Sequence, residues 1–291
     1  MSSQSNAMFR AALVQMCAGR SVTRNVADAL SLIAEAAAQK AHYVQTPECT
    51  TLMEVDPDRL MAETKPETDN EALAAFCAAA SDRNIWLHIG SMAVKVGERR
   101  LANRSYLIAP NGEISARYDK IHMFDVDLGN GEVYSESVNY QAGSQAIVAP
   151  LPWGQLGLTI CYDLRFPALH RTLAKAGALF IASPAAFTRI TGEAHWHTLL
   201  RARAIETETF VFAAAQGGRH ENGRETFGHS LIISPWGEVL AEAGTEPGVV
   251  TADIDIRRID EVRSKIPSLT HDRAFDVVEA TSPQIEVMLK E

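Results

Sequence analysis

Leu156-Gly157-Leu158-Thr159-Ile160-Cys161-Tyr162-Asp163-Leu164-Arg165-Phe166-Pro167 decides how this chain folds. Leu156 to Ile160 is a short, mostly apolar run, as a buried strand requires. Pro167 suits the first position of a helix. Leu169, Leu173 and Ala176 give that helix an inner face, and Gly177 can end it. The stretch therefore reads as strand, sharp turn and helix. Cys161 falls on the turn, at the C-terminal edge of a sheet, where α/β proteins bind their ligands. A helix N-terminus nearby favours a thiolate, the reactive form of cysteine. Position alone leaves two readings open: a nucleophile, or a small side chain filling space at a strand end.

Working outward, Phe9 to Gln15 reads as a buried strand. Ser21 or Thr23 can cap a helix whose apolar face is Val26, Leu30, Ile33 and Ala37. Tyr43 to Gln45 returns to a strand, which runs into Thr46-Pro47-Glu48, with Pro47 holding Thr46 extended. A second helix fits Asn70 to Asp82, and a strand fits Ile85 to Met92. This alternation defines an α/β fold. Three hairpin corners follow, at Pro110-Asn111-Gly112-Glu113, Pro152-Trp153-Gly154-Gln155 and Pro235-Trp236-Gly237-Glu238. Hairpins mixed with βα units predict mixed sheets, two of them face to face with helices outside. Gly129 to Gly143 lacks periodicity and is expected to be a long loop, a place where function often resides.

No repeat, low-complexity tract or linker divides the chain, so residues 8–291 read as a single domain. Residues 1–7 read as a vector-derived leader before a natural start at Met8, and 267–291 as a tail that wraps the body or a neighbouring subunit. The 291 residues are 46% hydrophobic, enough for a large core, and the net charge of −9 comes with no dense Lys/Arg block. Nucleic acid and anionic membranes are thereby poor partners, because both need a basic footprint. The four cysteines are widely spaced with no CxxC pair, which argues against zinc. With no secretion signal, a cytoplasmic setting with reduced thiols is expected.

A thiolate that attacks an amide needs a base for its proton, a donor for the oxyanion and an acid for the leaving amine. His195 and His197 are two apart on an expected helix, face different sides and read as surface or packing residues. Two other strand ends carry charge. Glu48 follows the strand Tyr43 to Gln45, and Lys120 follows a strand over Ile114 to Tyr118. A carboxylate can act as base and then acid, and a lysine can hold a thiolate and an oxyanion. Spacing alone does not bring the three together.

Read jointly, these segments resemble the nitrilase superfamily of carbon–nitrogen hydrolases. Glu48 stands in a strand-end P-E, Lys120 in K-x-H-x-x-D, and Cys161 in C-Y-D-x-R-F-P, in that order. Within the superfamily, Ser183-Pro184-Ala185-Ala186-Phe187, the stretch from Ile190 to Trp196, and Phe227-Gly228-His229-Ser230 resemble the branch that hydrolyses deaminated glutathione. Lys120 to Asp127 and Ala243-Gly244-Thr245-Glu246 lean toward the ω-amidase branch.

The resemblance implies a four-layer αββα sandwich and a Cys-Glu-Lys triad acting on a small-molecule amide without metal or organic cofactor. It also implies a homodimer formed through helices near Phe166 to Ala176 and His195 to Glu208, with higher homo-oligomers open. Glu136 matches the place of a further glutamate that positions Lys120 or the attacking water. The backbone N–H of Tyr162 is the expected second oxyanion donor. Arg165 either holds a substrate carboxylate or pairs with Asp163 or another acid, and Phe166 and Phe187 either line the pocket or pack in the core. Deaminated glutathione is the expected substrate, with α-keto acid monoamides the alternative. A cysteine peptidase and an inert binding protein of the same fold are the rival classes.

Overall fold

The computed structural model describes residues 7–129 and 131–280; residues 1–6 of the expected leader, Asn130 and the tail beyond 280 lie outside the described residues. Two six-stranded sheets organise the chain. The first runs in the order Gly248–Asp255, Met8–Gln15, Tyr43–Gln45, Trp86–Gly97, Arg100–Ile108, Ile114–Asp119. Met8–Gln15, Tyr43–Gln45 and Trp86–Gly97 are parallel, and the outer pairings are antiparallel. The second runs Val239–Glu242, Leu231–Ile233, Phe210–Ala213, Ala178–Ala182, Gly154–Leu158, Ile147–Leu151, again with a parallel centre and antiparallel flanks. Both sheets are mixed, as the hairpins and βα units require, and all three hairpin corners form where expected.

The inner faces of the sheets make one apolar layer. Phe9, Tyr43 and Leu107 from the first meet Leu156, Phe180 and Phe212 from the second. The Phe9 ring stands edge-on to Phe180 at 5.4 Å, and Tyr43 lies 5.2 Å from Phe212. Each such fully buried side chain contributes roughly 1.5–3 kcal/mol. Helices Val22–Ala38 and Glu71–Arg83 cover the outer face of the first sheet, packing Ile33 and Phe76 over Val44, Leu87 and Ile89. Pro167–Lys175 and Arg189–Thr207 cover the second through Leu173, Trp196 and Leu200. The layers are thus α, β, β, α.

Local details refine the sequence reading. Ser21, not Thr23, caps the first helix, and Asn70 caps the second. The inner stripe of the first helix centres on Asn25, Ala29, Ile33 and Ala36, so only Ile33 of the expected face is fully buried. Asn25 occupies this apolar face because its side chain bonds Gly19 and the Thr51 carbonyl. The expected loop at Gly129 to Gly143 is partly regular. Val133–Ser135 pairs antiparallel with Asp125–Asp127, and Glu136–Val138 forms a 3-10 turn. Three-residue strands are too short to give a readable alternation. The tail makes a turn at Ser268–Thr270, and Asp272 then pairs with Arg171 and Lys175 of the chain's own helix. Among the described residues, no helix is long and apolar enough to cross a membrane.

Candidate active site

Cys161 sits where the sequence places it, between the strand Gly154–Leu158 and the helix Pro167–Lys175, at the head of a 3-10 turn Cys161–Arg165. Its φ is +47°, a left-handed conformation unusual for a residue with a side chain. Such strain costs about 1–3 kcal/mol and persists only where the surroundings impose it. Here Asp163 imposes it. Its carboxylate, fully buried, accepts from the Ile160 N–H at 2.9 Å, the Tyr118 hydroxyl at 2.6 Å and the His122 N–H at 3.0 Å. The Cys161 N–H donates to the Pro184 carbonyl at 2.9 Å. One carboxylate therefore ties the cysteine turn to the segment that carries Lys120.

Glu48 and Lys120 come to the same place from the other sheet. Lys120 Nζ donates to Glu48 Oε1 at 2.9 Å and to Glu136 Oε2 at 2.8 Å, and the lysine side chain is 2% exposed. The 3-10 turn puts Glu136 on the far side of the ammonium, and its Oε2 also accepts from the Phe124 N–H at 2.7 Å. Asn103 bridges the two carboxylates, its Nδ2 lying 3.0 Å from Glu48 Oε1 and 3.0 Å from Glu136 Oε1. The second Glu48 oxygen accepts from the Ala186 N–H at 2.9 Å, and Cys161 lines the same cavity as Glu48. Gly90 makes this approach feasible. A Cβ there would lie 2.1 Å from the Thr46 carbonyl and 2.5 Å from Pro184 Cβ.

The electrostatics sort the proton among these groups. Burial raises the Cys161 thiol and the Glu48 carboxylate raises it further, with Lys120 only partly opposing. Burial also works against the Glu48 anion, but Lys120, the thiol and Arg224 outweigh it and hold the carboxyl below its usual range. Burial alone would discharge Lys120, yet Glu136 and Glu48 keep it firmly protonated. Both effects favour a neutral thiol beside an ionised carboxylate. That replaces the expected helix-favoured thiolate: local burial and an adjacent anion outweigh the short 3-10 turn. Cys49, also in this cavity, is pushed up to about 12 by burial and Glu48.

A cavity of about 250 Å³ opens over these groups, near the small end of ligand sites, which run roughly 300–1,000 Å³. Leu52, Met53, Phe124 and Tyr134 give it apolar walls, and Arg224 also lines it. Tyr162 and Phe187 line a narrow annex that Cys161 also borders. Two expected contacts are not made. Phe166 stacks on the His122 imidazole at 3.5 Å and lines neither space. Arg165 forms no ion pair with Asp163, whose oxygens are taken by Tyr118, His122 and Ile160. Its guanidinium lies over Tyr162 and Phe187, at 5.9 and 5.3 Å, and beside His195 Nδ1, outside the cavity lining. His195 and His197 do face different sides, the latter reaching Glu242. Asn103, Phe124 and Arg224 were not anticipated. Asn103 sits mid-strand with no local motif, and only the pairing of Arg100–Ile108 in the sheet aims it at Glu48.

A buried cysteine against a carboxylate and a lysine suits attack on a carbon–nitrogen bond, and sequence comparison agrees. The carbon–nitrogen hydrolase family model matches residues 10–264, and the chain belongs to that family. It is a hydrolase of the nitrilase superfamily. A deaminated glutathione amidase of Synechocystis is 41% identical over 266 residues, spanning 90% of this chain and 97% of that protein. Human omega-amidase NIT2 is 34% identical, across 91% of this chain and 95% of that one. Among solved structures, Saccharomyces cerevisiae Nit3, of the nitrilase superfamily, superposes with a TM-score of 0.83 at 26% identity, covering 92% of this chain and 97% of that chain. An amidase from Nesterenkonia, carrying the acetamide moiety of fluoroacetamide on its active-site cysteine, gives 0.76 at 26% identity, covering 92% and 98%.

Proposed function

We propose that the chain is a thiol-dependent amidase in which Cys161 is the nucleophile, Glu48 the base and acid, and Lys120 the electrostatic anchor. The observation that carries this reading is a buried Cys161 that shares one cavity with a buried Glu48, whose Oε1 is held by Lys120 and Asn103. Glu48 takes the thiol proton as sulfur attacks the amide carbon, so no free thiolate accumulates beforehand. Lys120 and the Tyr162 N–H stabilise the tetrahedral oxyanion, and losing one such donor typically slows turnover ~100- to 1,000-fold. Glu48 then protonates the departing amine, leaving a thioester on Cys161. Next it draws a proton from water as the oxygen adds to the thioester carbon, then returns that proton to the departing Cys161 sulfur, which releases the acid and restores the thiol. Glu136 positions Lys120 and closes the charge balance around it. The Nesterenkonia amidase, with its cysteine adduct, supports the nucleophile assignment by likeness.

The substrate is a small carboxylate-bearing amide: deaminated glutathione first, in line with the Synechocystis relative, and α-keto acid monoamides second, in line with the human one. Turnover of deaminated glutathione and α-ketoglutaramate, measured side by side, tests this. A clear preference in kcat/KM for the first supports the primary reading, the reverse selects the second, and hydrolysis of neither rejects both. A homodimer through Pro167–Lys175 and Arg189–Thr207 is consistent with Ile190 and Ile205 standing exposed on the latter helix. A cytoplasmic setting is consistent with four unpaired cysteines.

A further inference from the structure

Arg224 stands apart from the other charged groups of the cavity. Lys120 is ion-paired with Glu48 and Glu136, and Glu54 is matched by Arg20 and Arg59 at 2.8 and 3.2 Å. Among the described residues, Arg224 is the one cation of the cavity lining that forms no ion pair. It belongs to the segment between the short paired strands Gly217–Arg219 and Glu225–Phe227, whose pairing aims it inward. Its guanidinium lies 5.1 Å over the Tyr134 ring, and Nη2 donates to the Ala186 carbonyl, next to the Ala186 N–H that holds Glu48. These contacts fix the plane of the group. Its Nε–H is buried and meets no acceptor. A buried donor left unpaired is costly, typically about 1–3 kcal/mol, and native proteins keep few of them without a reason. The Nη1 group of the same guanidinium also has no partner among the described residues and, unlike Nε, is not closed off, so a ligand in the cavity can supply its acceptor. Arg224 lines both the main cavity and the annex beside Cys161, so a group bound to it remains within one small molecule's reach of the sulfur.

We infer that Arg224 is the specificity residue that binds the carboxylate of the substrate, the role the sequence had suggested for Arg165. This rests on the amidase reading above and sharpens it: the amide must carry an anionic group remote from the scissile bond. Tyr134, stacked under the guanidinium, keeps the fork planar toward the cavity, a geometry that a carboxylate matches with two hydrogen bonds and a neutral amide does not.

The test is calorimetric binding of 2-oxoglutarate, the diacid formed by hydrolysis of α-ketoglutaramate, to the Cys161→Ala protein with and without Arg224→Met. The expected result is a dissociation constant raised about 10- to 100-fold by Arg224→Met, as for loss of a charge-assisted bidentate pair. Arg224→Lys should recover part of it, since lysine keeps the charge and loses the fork; this milder variant also guards against misfolding of the first. In active protein, Arg224→Met should lower the ratio of kcat/KM for α-ketoglutaramate over a neutral amide such as propionamide, mainly through KM. Binding unchanged within twofold, no measurable binding to Cys161→Ala, or an unaltered substrate ratio overturns the inference. Failure of the parent protein to hydrolyse any carboxylate-bearing amide counts instead against the amidase reading.

Discussion

Replacing Glu136 by Gln isolates the contribution of the third buried charge. The Glu136 oxygens accept Lys120 Nζ at 2.8 and 3.1 Å, Asn103 Nδ2 at 3.0 Å and the Phe124 N–H at 2.7 Å, with the side chain only 13% exposed. Glutamine has one oxygen. Whichever way its amide turns, an NH₂ faces either the ammonium and the Phe124 N–H, or the ammonium and the Asn103 NH₂. At least one charge-assisted hydrogen bond is lost and one donor is left facing another, together roughly 1.5–3 kcal/mol. Little screening reduces that figure at such burial. If Glu136 serves to hold Lys120 in place for the oxyanion, most of it appears in the barrier, and kcat falls about 10- to 150-fold. Thermal unfolding should come about 3–12 °C earlier, at ~2–4 °C per kcal/mol for domains of 150–250 residues. Steady-state kinetics on one amide and calorimetry on the same samples measure both. A Glu136→Gln protein with kcat within twofold of the parent and an unshifted transition would refute the assignment.

Three further outcomes follow from the same geometry. Because Glu48 is held below the ordinary carboxylate range, the base stays ionised through mild acid, so the acid limb of kcat/KM lies below that range; a limb at or above the ordinary carboxylate range in a pH–rate profile contradicts this. Gly90→Ala drives a Cβ into the Thr46 carbonyl and Pro184, so it should lower both the melting temperature and kcat, with loss of the Glu48 geometry; a fully active, equally stable variant would show that the shelf tolerates movement. His88 is buried among Tyr43, Gln45 and Ser105 and, by burial, is pushed down to about 3. The unfolded chain takes up that proton near pH 6.5 and the folded one does not, so stability is full above 6.5 and drains as pH falls toward 3. Denaturant midpoints at neutral and acid pH should diverge less in His88→Gln than in the parent.

Much of the architecture was legible because its determinants are local. Pro-x-Gly corners, the Asn70 cap, the Pro167 helix start and the apolar run before Cys161 each act within a few residues. Glu48, Lys120 and Glu136 were readable only through the family pattern, since each lies at the end of a different element and spacing does not reveal that they meet. Arg165 and Arg224 show where local reading stops. Arg165 sits beside the nucleophile in sequence, yet the 3-10 turn rotates it onto Tyr162 and Phe187. Arg224 is 63 residues away in a polar, Gly-containing turn that carries no motif, and only the Gly217–Arg219 pairing brings it over the cavity. Likewise, the neutral state of the Cys161 thiol depends on burial and on Glu48, neither of which the neighbouring sequence encodes.

The central claim is that Cys161 forms the acyl bond and Cys49, in the same cavity, does not. Acid-quenched reactions with a turned-over amide, analysed by intact mass and peptide mapping, measure this directly. An acyl adduct on the Cys161 peptide, absent from a folded and inactive Cys161→Ala protein, is the predicted result. Turnover persisting in Cys161→Ala, or an adduct mapping to Cys49, would contradict it.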